Sequence, residues 1–332
     1  MARMRRDLPQ LVILVVLLGL PLVSSGFFVE FVMTRTLILG IAAASLVFLS
    51  AYGGMVSLAQ TAMYGIAGFM VANVAGEAGS RGLALGWDPW LSVIFALTVT
   101  VVSALVFGAV ASRSTGIYFL MLTLTYAVIA FFFFGQVTTF SGYGGITGVN
   151  APGLFLDHKV RLYYAAVVVS ALTFALLRAA SRTPFGLALQ GIRDDPVRMA
   201  SLGFNVALHR TLAMGLAGFV AGLAGVLNVW WNAQVDPQTI NIAATLDVLI
   251  IAVIGGISRL EGAWLGAFVF VAANNYLRAL PLVDRIGLTE DRFRTVIGLL
   301  VLLIMVLSPQ GLMGILQRVT TRRTRPATDD AA

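Results

Sequence analysis

A chain of 332 residues that is 59% hydrophobic and only 11% charged, with mean hydropathy +0.92, cannot be a soluble globule, where about a quarter of residues carry charge. Apolar stretches near the roughly 20 residues that cross hydrocarbon recur along its whole length, so the natural reading is one integral membrane domain. The net charge of +7 sits on arginines at loop ends and termini, where lipid headgroups and topology account for it, so membrane lipid is expected as a partner and nucleic acid is not; with no cysteine, disulfides, thiolate chemistry and cysteine metal sites are excluded.

Arg3, Arg5 and Arg6 precede an apolar run at 8–23, a layout shared by cleaved signal peptides and first transmembrane helices. Apolar character resumes at 27–33, and an uncleaved first helix is expected. Spans are predicted at about 8–29, 36–52, 55–75, 90–111, 117–135, 160–180, 208–231, 243–257, 263–280 and 294–316. The fold class is therefore an all-α, polytopic transmembrane bundle of about ten spans. Residues 1–317 form a single membrane domain, and 318–332 form a cytoplasmic tail expected to be disordered. Ten crossings put both termini on one side. Placing them in the cytoplasm puts most of the 22 Lys and Arg inside: the N-terminal three, Arg113, those of the 178–210 region, Arg259 and those of the tail.

The third span is a poor simple helix. GGMVSLAQTAMYGIAG at 53–68 mixes Ser57, Gln60 and Thr61 with glycines, and polar groups at membrane depth must face protein or a water-filled cavity. IGGISRLEGAWLG at 254–266 repeats the texture in the second half, the pattern of an internal repeat around a substrate path. Gly218-x-x-x-Gly222 and Gly262-x-x-x-Gly266 read as helix-packing faces, because small residues let backbones approach. Residues 136–159 form the longest predicted external loop. Its SGYGGITGVNAPG string at 141–153 is expected to make turns rather than a strand or helix, either as inert surface or as a face that receives a partner.

The polar interval 183–206 is the most informative stretch. Thr183-Pro184 is a helix start, with Thr as cap and Pro at the first helical position, and Asp195-Pro196 repeats it. Residues 197–202 are a helix of under two turns, and Gly203 is its stop. A loop built of two capped short helices is ordered, and it reads as a cytoplasmic docking surface within 181–207.

Lys159 is the only lysine and lies in no Gly-rich phosphate loop, so ATP hydrolysis by a Walker motif must belong to another chain. His158 and His209 sit at opposite predicted membrane edges without metal-ligand spacing; no metal, cofactor or catalytic residue is expected. Asp247 is the only acid within a predicted span. Lying near its outer end, it reads as an interfacial or loop-capping residue rather than a proton site. Gln60, Tyr64 and Asn228 are uncharged candidates for a path lining, each equally readable as a helix-to-helix hydrogen bond.

Five motifs in order then carry a resemblance over nearly the whole chain: GGMVSLAQTAMYGIAG, STGIYFLMLTLTYA at 114–127, GGITGVNAPG at 144–153, FGLALQGIRDDPVRMASLGFNV at 185–206 and LDVLIIAVIGGISRLEGAWLGA at 246–267. Together they resemble the inner-membrane permease subunits of branched-chain amino acid ABC importers, and within them the larger of the two paired permeases. The resemblance implies two ABC ATPase subunits, a second homologous permease, an extracytoplasmic substrate-binding protein, and a coupling helix inside 183–206. It implies coupling through Gly186, Ile192, Arg193, Asp194, Asp195 and Gly203, and a path whose candidates are Gln60, Tyr64, Asn228 and Asp247. Members commonly show Gly-Arg-Ala where this chain has Gly186-Leu187-Ala188, and an acidic, alanine-rich turn in place of 196–200. Urea and short-amide importers use permeases of the same kind and remain an alternative substrate class. A stand-alone secondary carrier would show paired intramembrane charges or a filter-like repeat, and a membrane-embedded enzyme would cluster His, Asp or Glu at one face; neither pattern is visible.

Overall fold

Small and β-branched residues without a proline carry the chain from Phe28 to Gly53 as one continuous rod, in a computed structural model that describes residues 16–21, 26–76, 82–149, 151–153, 159–276, 298–299 and 311–314. The rod opens as a π-helical segment, Phe28–Met33, and continues as α1, Thr34–Gly53. The wider turn is closed at its end by Thr34, whose amide and hydroxyl both donate to the Val29 carbonyl, the hydroxyl at 2.9 Å. Beyond Arg35, α1 is apolar all round, the signature of a helix surrounded by protein, and the apolar stretch of the rod is 89% buried.

The chain continues through α2 (Gln60–Ala75), α3 (Pro89–Ala111), α4 (Gly116–Gln136) and α5 (Lys159–Ala180). Two short helices come next, α6 (Pro184–Asp194) and α7 (Pro196–Ser201), then the long α8 (Val206–Asn232) and the pair α9 (Ile242–Gly255) and α10 (Leu260–Tyr276). Among the described residues, five helices are long and apolar enough to cross a membrane, or six if the bent α9–α10 pair is one span. They match the spans expected at 36–52, 90–111, 117–135, 160–180 and 208–231. The expected spans 8–29 and 294–316 and the tail 318–332 lie wholly or largely outside the described residues. Helix α3 is only 22% buried along its span, so α1, α2 and α8 form the interior and α3 lies on the rim.

The span expected at 55–75 is shorter than its sequence suggested. Helix α1 stops at Gly53, with Gly54 left-handed at φ +63°, and helix resumes only at Gln60. The intervening amides are satisfied without a helix: Gly54 N–H donates to Ser50 O (3.2 Å), Met55 N–H to Leu49 O (3.1 Å) and Leu58 N–H to the Thr123 hydroxyl of α4 (3.1 Å). Irregular backbone inside a membrane protein survives only with such partners. The spans expected at 243–257 and 263–280 are likewise not two simple rods. Helices α9 and α10 are bent by 115° at the break after Gly255-Gly256, where Gly256 takes φ +111°. A Cβ on Gly262 would stand 2.6 Å from the Gly255 carbonyl, and one on Gly266 would strike that of Ile251, so the two backbones touch.

The other small-residue pair packs as expected too. A Cβ on Gly218 would strike Ala104 of α3, and one on Gly222 would lie 3.1 Å from Leu97 and 3.2 Å from Thr100. These glycines let side chains of α3 reach the backbone of α8, which is how helices gain contact energy where lipid supplies no hydrophobic drive.

At the end of the bundle away from α6 and α7, the 141–153 string corrects its expectation. Ile146–Thr147 is a short strand, β1, paired antiparallel with β2 (Gln234–Val235) just past α8. Gly145 and Gly148, both at positive φ, bracket two β-branched residues; a Cβ on Gly145 would stand 2.6 Å from the Val235 carbonyl. The glycines therefore permit close strand approach rather than mere turning. The pairing partner lies far away in the chain, which is why the local composition concealed it. Buried Asn73 organises the neighbouring loop, donating to Phe69 O (2.8 Å) and accepting from Leu83 N–H (3.0 Å).

Candidate functional site

Both capped starts in the 183–206 loop form. The Thr183 hydroxyl accepts from Gly186 N–H at 3.3 Å, with Pro184 at the first helical position. Asp195 Oδ1 accepts from Val197 N–H and Arg198 N–H, both at 3.0 Å, with Pro196 next in the chain. Satisfying these amides lets a helix of only Pro196–Ser201 persist in solvent, where propensity alone would not hold it. Gly203 then turns left-handed at φ +89°, with Phe204 N–H donating to Met199 O at 3.1 Å. The return to α8 is clamped by His209, stacked on Phe185 at 5.8 Å between centroids and edge-on to Phe204, also at 5.8 Å. Its Nδ1 lies 2.9 Å from Asn205 O.

The loop has two faces. Leu189 and Ile192 are fully buried, seating α6 beneath the bundle. Gly186 is buried because a Cβ there would strike the backbone of Ala180 and Ser181. No residue of α7 is buried, and Val197 and Leu202 are 75% and 65% exposed. Gly186 and Ile192, expected among the coupling residues, thus belong to the inner face, while Asp194 points outward with its side chain 66% exposed. Asp195 is a cap. Arg193 connects the faces: Nε and Nη2 donate to Asp194 Oδ1 at 2.9 and 2.8 Å, and Nη1 donates to Ala51 O of α1 at 2.5 Å.

The path candidates are brought together only in part. Gln60 opens α2, is 1% exposed, and neither of its amide atoms has a hydrogen-bond partner. Tyr64, one turn on, is half-buried, and its backbone carbonyl lies against Gly225 of α8. Asn228, half-buried on α8, accepts from Asn232 of the same helix at 3.0 Å and makes no side-chain hydrogen bond to another helix among the described residues. Asp247 is not the residue that caps the start of α9. Asn241 caps α9, accepting from Ala244 N–H at 2.8 Å, and Asp247 lies beyond the first turn, half-buried, on a helix that meets α2 only lightly.

Sequence reasoning missed one feature. A groove of about 310 Å³ opens between α4 and the 3₁₀ turn Pro237–Ile240 that leads into α9, lined by Phe131 and Phe132 on one wall and by Gln238, Ile240 and Asn241 on the other. Ile240 is also packed against α2, where a Cβ on Gly65 would collide with it. Only the apolar character of these segments was visible beforehand, and that is shared by the whole chain.

Comparison with known proteins places this geometry. The family described as branched-chain amino acid transport system / permease component matches residues 28–306. The chain is 22% identical over 293 residues to the high-affinity branched-chain amino acid transport system permease protein LivM of Salmonella typhimurium, covering 78% of this chain and 67% of that one. It is 26% identical over 157 residues to LivM of Escherichia coli, covering 47% of this chain and 35% of the relative. It is also 24% identical over 155 residues to a probable branched-chain amino acid transport permease protein LivH of Methanocaldococcus jannaschii, covering 46% and 48%. The match thus spans between about a third and two thirds of the length of these relatives. No solved structure matches the chain. A family match across most of its length, on an all-helical membrane bundle, makes this chain a member of the branched-chain amino acid transport permease family.

Proposed function

We propose that this chain is a permease subunit of an ABC importer in the bacterial inner membrane that moves branched-chain, aliphatic amino acids. It works beside a second homologous permease, fed by an extracytoplasmic binding protein and driven by two ATPase subunits. The observation that carries the reading is α7: a capped helix with no buried residue, Val197 exposed on it and Leu202 just past its end, resting through Met199 on Gly191 of α6, which is itself seated by buried Leu189 and Ile192. A soluble partner is the natural cover for such an apolar, ordered projection. Family membership supports an ATPase as that partner, and the names of the relatives support the substrate class.

In this reading both termini and the 183–206 loop are cytoplasmic, about ten crossings make up the domain within 1–317, and the chain is the larger of the paired permeases. The two Gly-Gly breaks, at Gly53-Gly54 and Gly255-Gly256, support an internal repeat, since each ends a helix with the second glycine at positive φ and each precedes another helix. Closure of the ATPases pushes on the loop and rocks the bundle between outward- and inward-open forms. Gln60 and Tyr64 of α2, with Asn228 and Asp247, line the path.

Gentle purification of the tagged chain from its native membrane, with mass spectrometry of the co-purifying proteins, tests the assembly. Two ABC ATPases, or one in double copy, together with a second permease are expected. Recovery of the chain alone, still transporting without ATP, would replace this reading with a secondary carrier. Competition of labelled leucine uptake by urea and acetamide then separates the two substrate classes.

A further inference from the structure

Helix α1 ends beneath the docking loop with the carbonyls of Leu49, Ser50 and Ala51 each given a donor from outside the helix. Leu49 O and Ser50 O receive the amides of Met55 and Gly54 as the chain turns left-handed. Ala51 O is also among the carbonyls that a helix terminus leaves without an intrahelical amide, and Arg193 supplies its donor from 142 residues away. A guanidinium at this position also meets the negative end of the α1 dipole. The seat is shaped for it: a Cβ on Gly54 would stand 2.6 Å from Arg193 Cγ, so only glycine lets the side chain lie across the turn. Beside it, Leu189 packs 3.7 Å from the Cβ position of Gly53.

The non-helical link 54–59 leads away from this seat. Met55, Ser57 and Leu58 are buried there, and Leu58 N–H is held by Thr123. The link delivers the chain directly to Gln60, whose buried amide has no partner. Resting on the docking role proposed for α7, we propose that Arg193 is a positioning residue that ties the docking loop to the break between α1 and α2, so that displacement of the loop resets the start of α2. Its fork is divided for the task, with Nε and Nη2 held by Asp194 on the loop and Nη1 directed to α1. Arg193 thus acts inward, whereas α7 meets the partner.

The test uses Arg193→Ala and Arg193→Lys in the full complex, reconstituted in liposomes with loaded binding protein, reading substrate moved per ATP hydrolysed. In parallel, hydrogen exchange is measured at the amides of residues 55–59. Arg193→Ala is expected to keep the ATPase subunits bound, to lower transport per ATP about tenfold, and to speed exchange at 55–59 about tenfold, as loss of one charge-assisted hydrogen bond implies. Arg193→Lys, with a single compact donor head, is expected to recover part of both. Loss of the ATPase subunits from Arg193→Ala would overturn the proposal by making Arg193 an interface contact, and so would unchanged exchange at 55–59. If the unaltered chain recruits no ATPase at all, the docking role of α7 fails by itself, and the exchange measurement still decides the role of Arg193.

Discussion

Gly225 of α8 lies directly against the backbone carbonyl of Tyr64 in α2, so close that a Cβ at that position would collide with it. The contact is backbone on backbone, with no flexible side chain to give way. Gly225→Ala is therefore expected to destabilise the protein by about 1–3 kcal/mol through overpacking, and Gly225→Leu to abolish accumulation in the membrane. Gly86, with open space around its Cβ position but φ +63°, separates the two causes: Gly86→Ala carries only backbone strain. Thermal unfolding of the detergent-solubilised chain, monitored by size-exclusion, reads both. Equal midpoints for the two alanine variants would refute the packing account.

Asp195 serves α7 through an oxygen, since its Oδ1 accepts two amides. Asparagine keeps that acceptor and removes the charge. Asp195→Ala is expected to cost about 1 kcal/mol of local helix stability and to weaken ATPase association about fivefold, while Asp195→Asn stays near the parent. Pull-down titration with the ATPase subunit checks this, and an asparagine variant as weak as alanine would assign the effect to charge.

Val197 is 75% exposed, and the hydrogen bonds it makes to Asp195 and Ser201 use its backbone, which a substitution keeps. Val197→Asp should leave stability within about 0.5 kcal/mol of the parent, as for surface changes away from special features. ATPase co-purification should be lost. Normal co-purification would show that α7 is not the contact.

Gln60 holds two unpaired polar atoms in the interior. A buried amide without a partner costs about 1–3 kcal/mol, so Gln60→Leu, close in size and without polar atoms, is expected to raise the melting temperature of the isolated chain. If the side chain serves the path, uptake falls at the same time. A variant that melts lower would show that Gln60 is satisfied by ordered water in solution.

The range of each interaction decides whether the sequence revealed it. Thr183-Pro184, Asp195-Pro196 and Gly203 are legible because caps and stops are made within three or four residues, and all three form as expected. The glycine pairs of α8 and α10 are legible as packing faces, though not which helices they meet. The Arg193 bond to Ala51, the pairing of Ile146 with Val235 and the seating of Ile240 on Gly65 join residues far apart in the chain, and no local pattern encodes them. The 115° turn at Gly255-Gly256 falls between these cases. Its glycines announce a break, but the angle is chosen by backbones meeting at Gly262 and Gly266.

Asp195 is at once the residue that ends α6 and the residue that caps α7. The two short helices consequently share a joint with no spacer, fixed at φ −152° and ψ 94° and pinned by two hydrogen bonds to one oxygen. Such a joint has no slack. A force on the tip of α7 arrives at the buried Leu189 and Ile192 as a rotation of one bent lever rather than dissipating in a flexible elbow, and a single glycine inserted beside Asp195 would turn that lever back into a string.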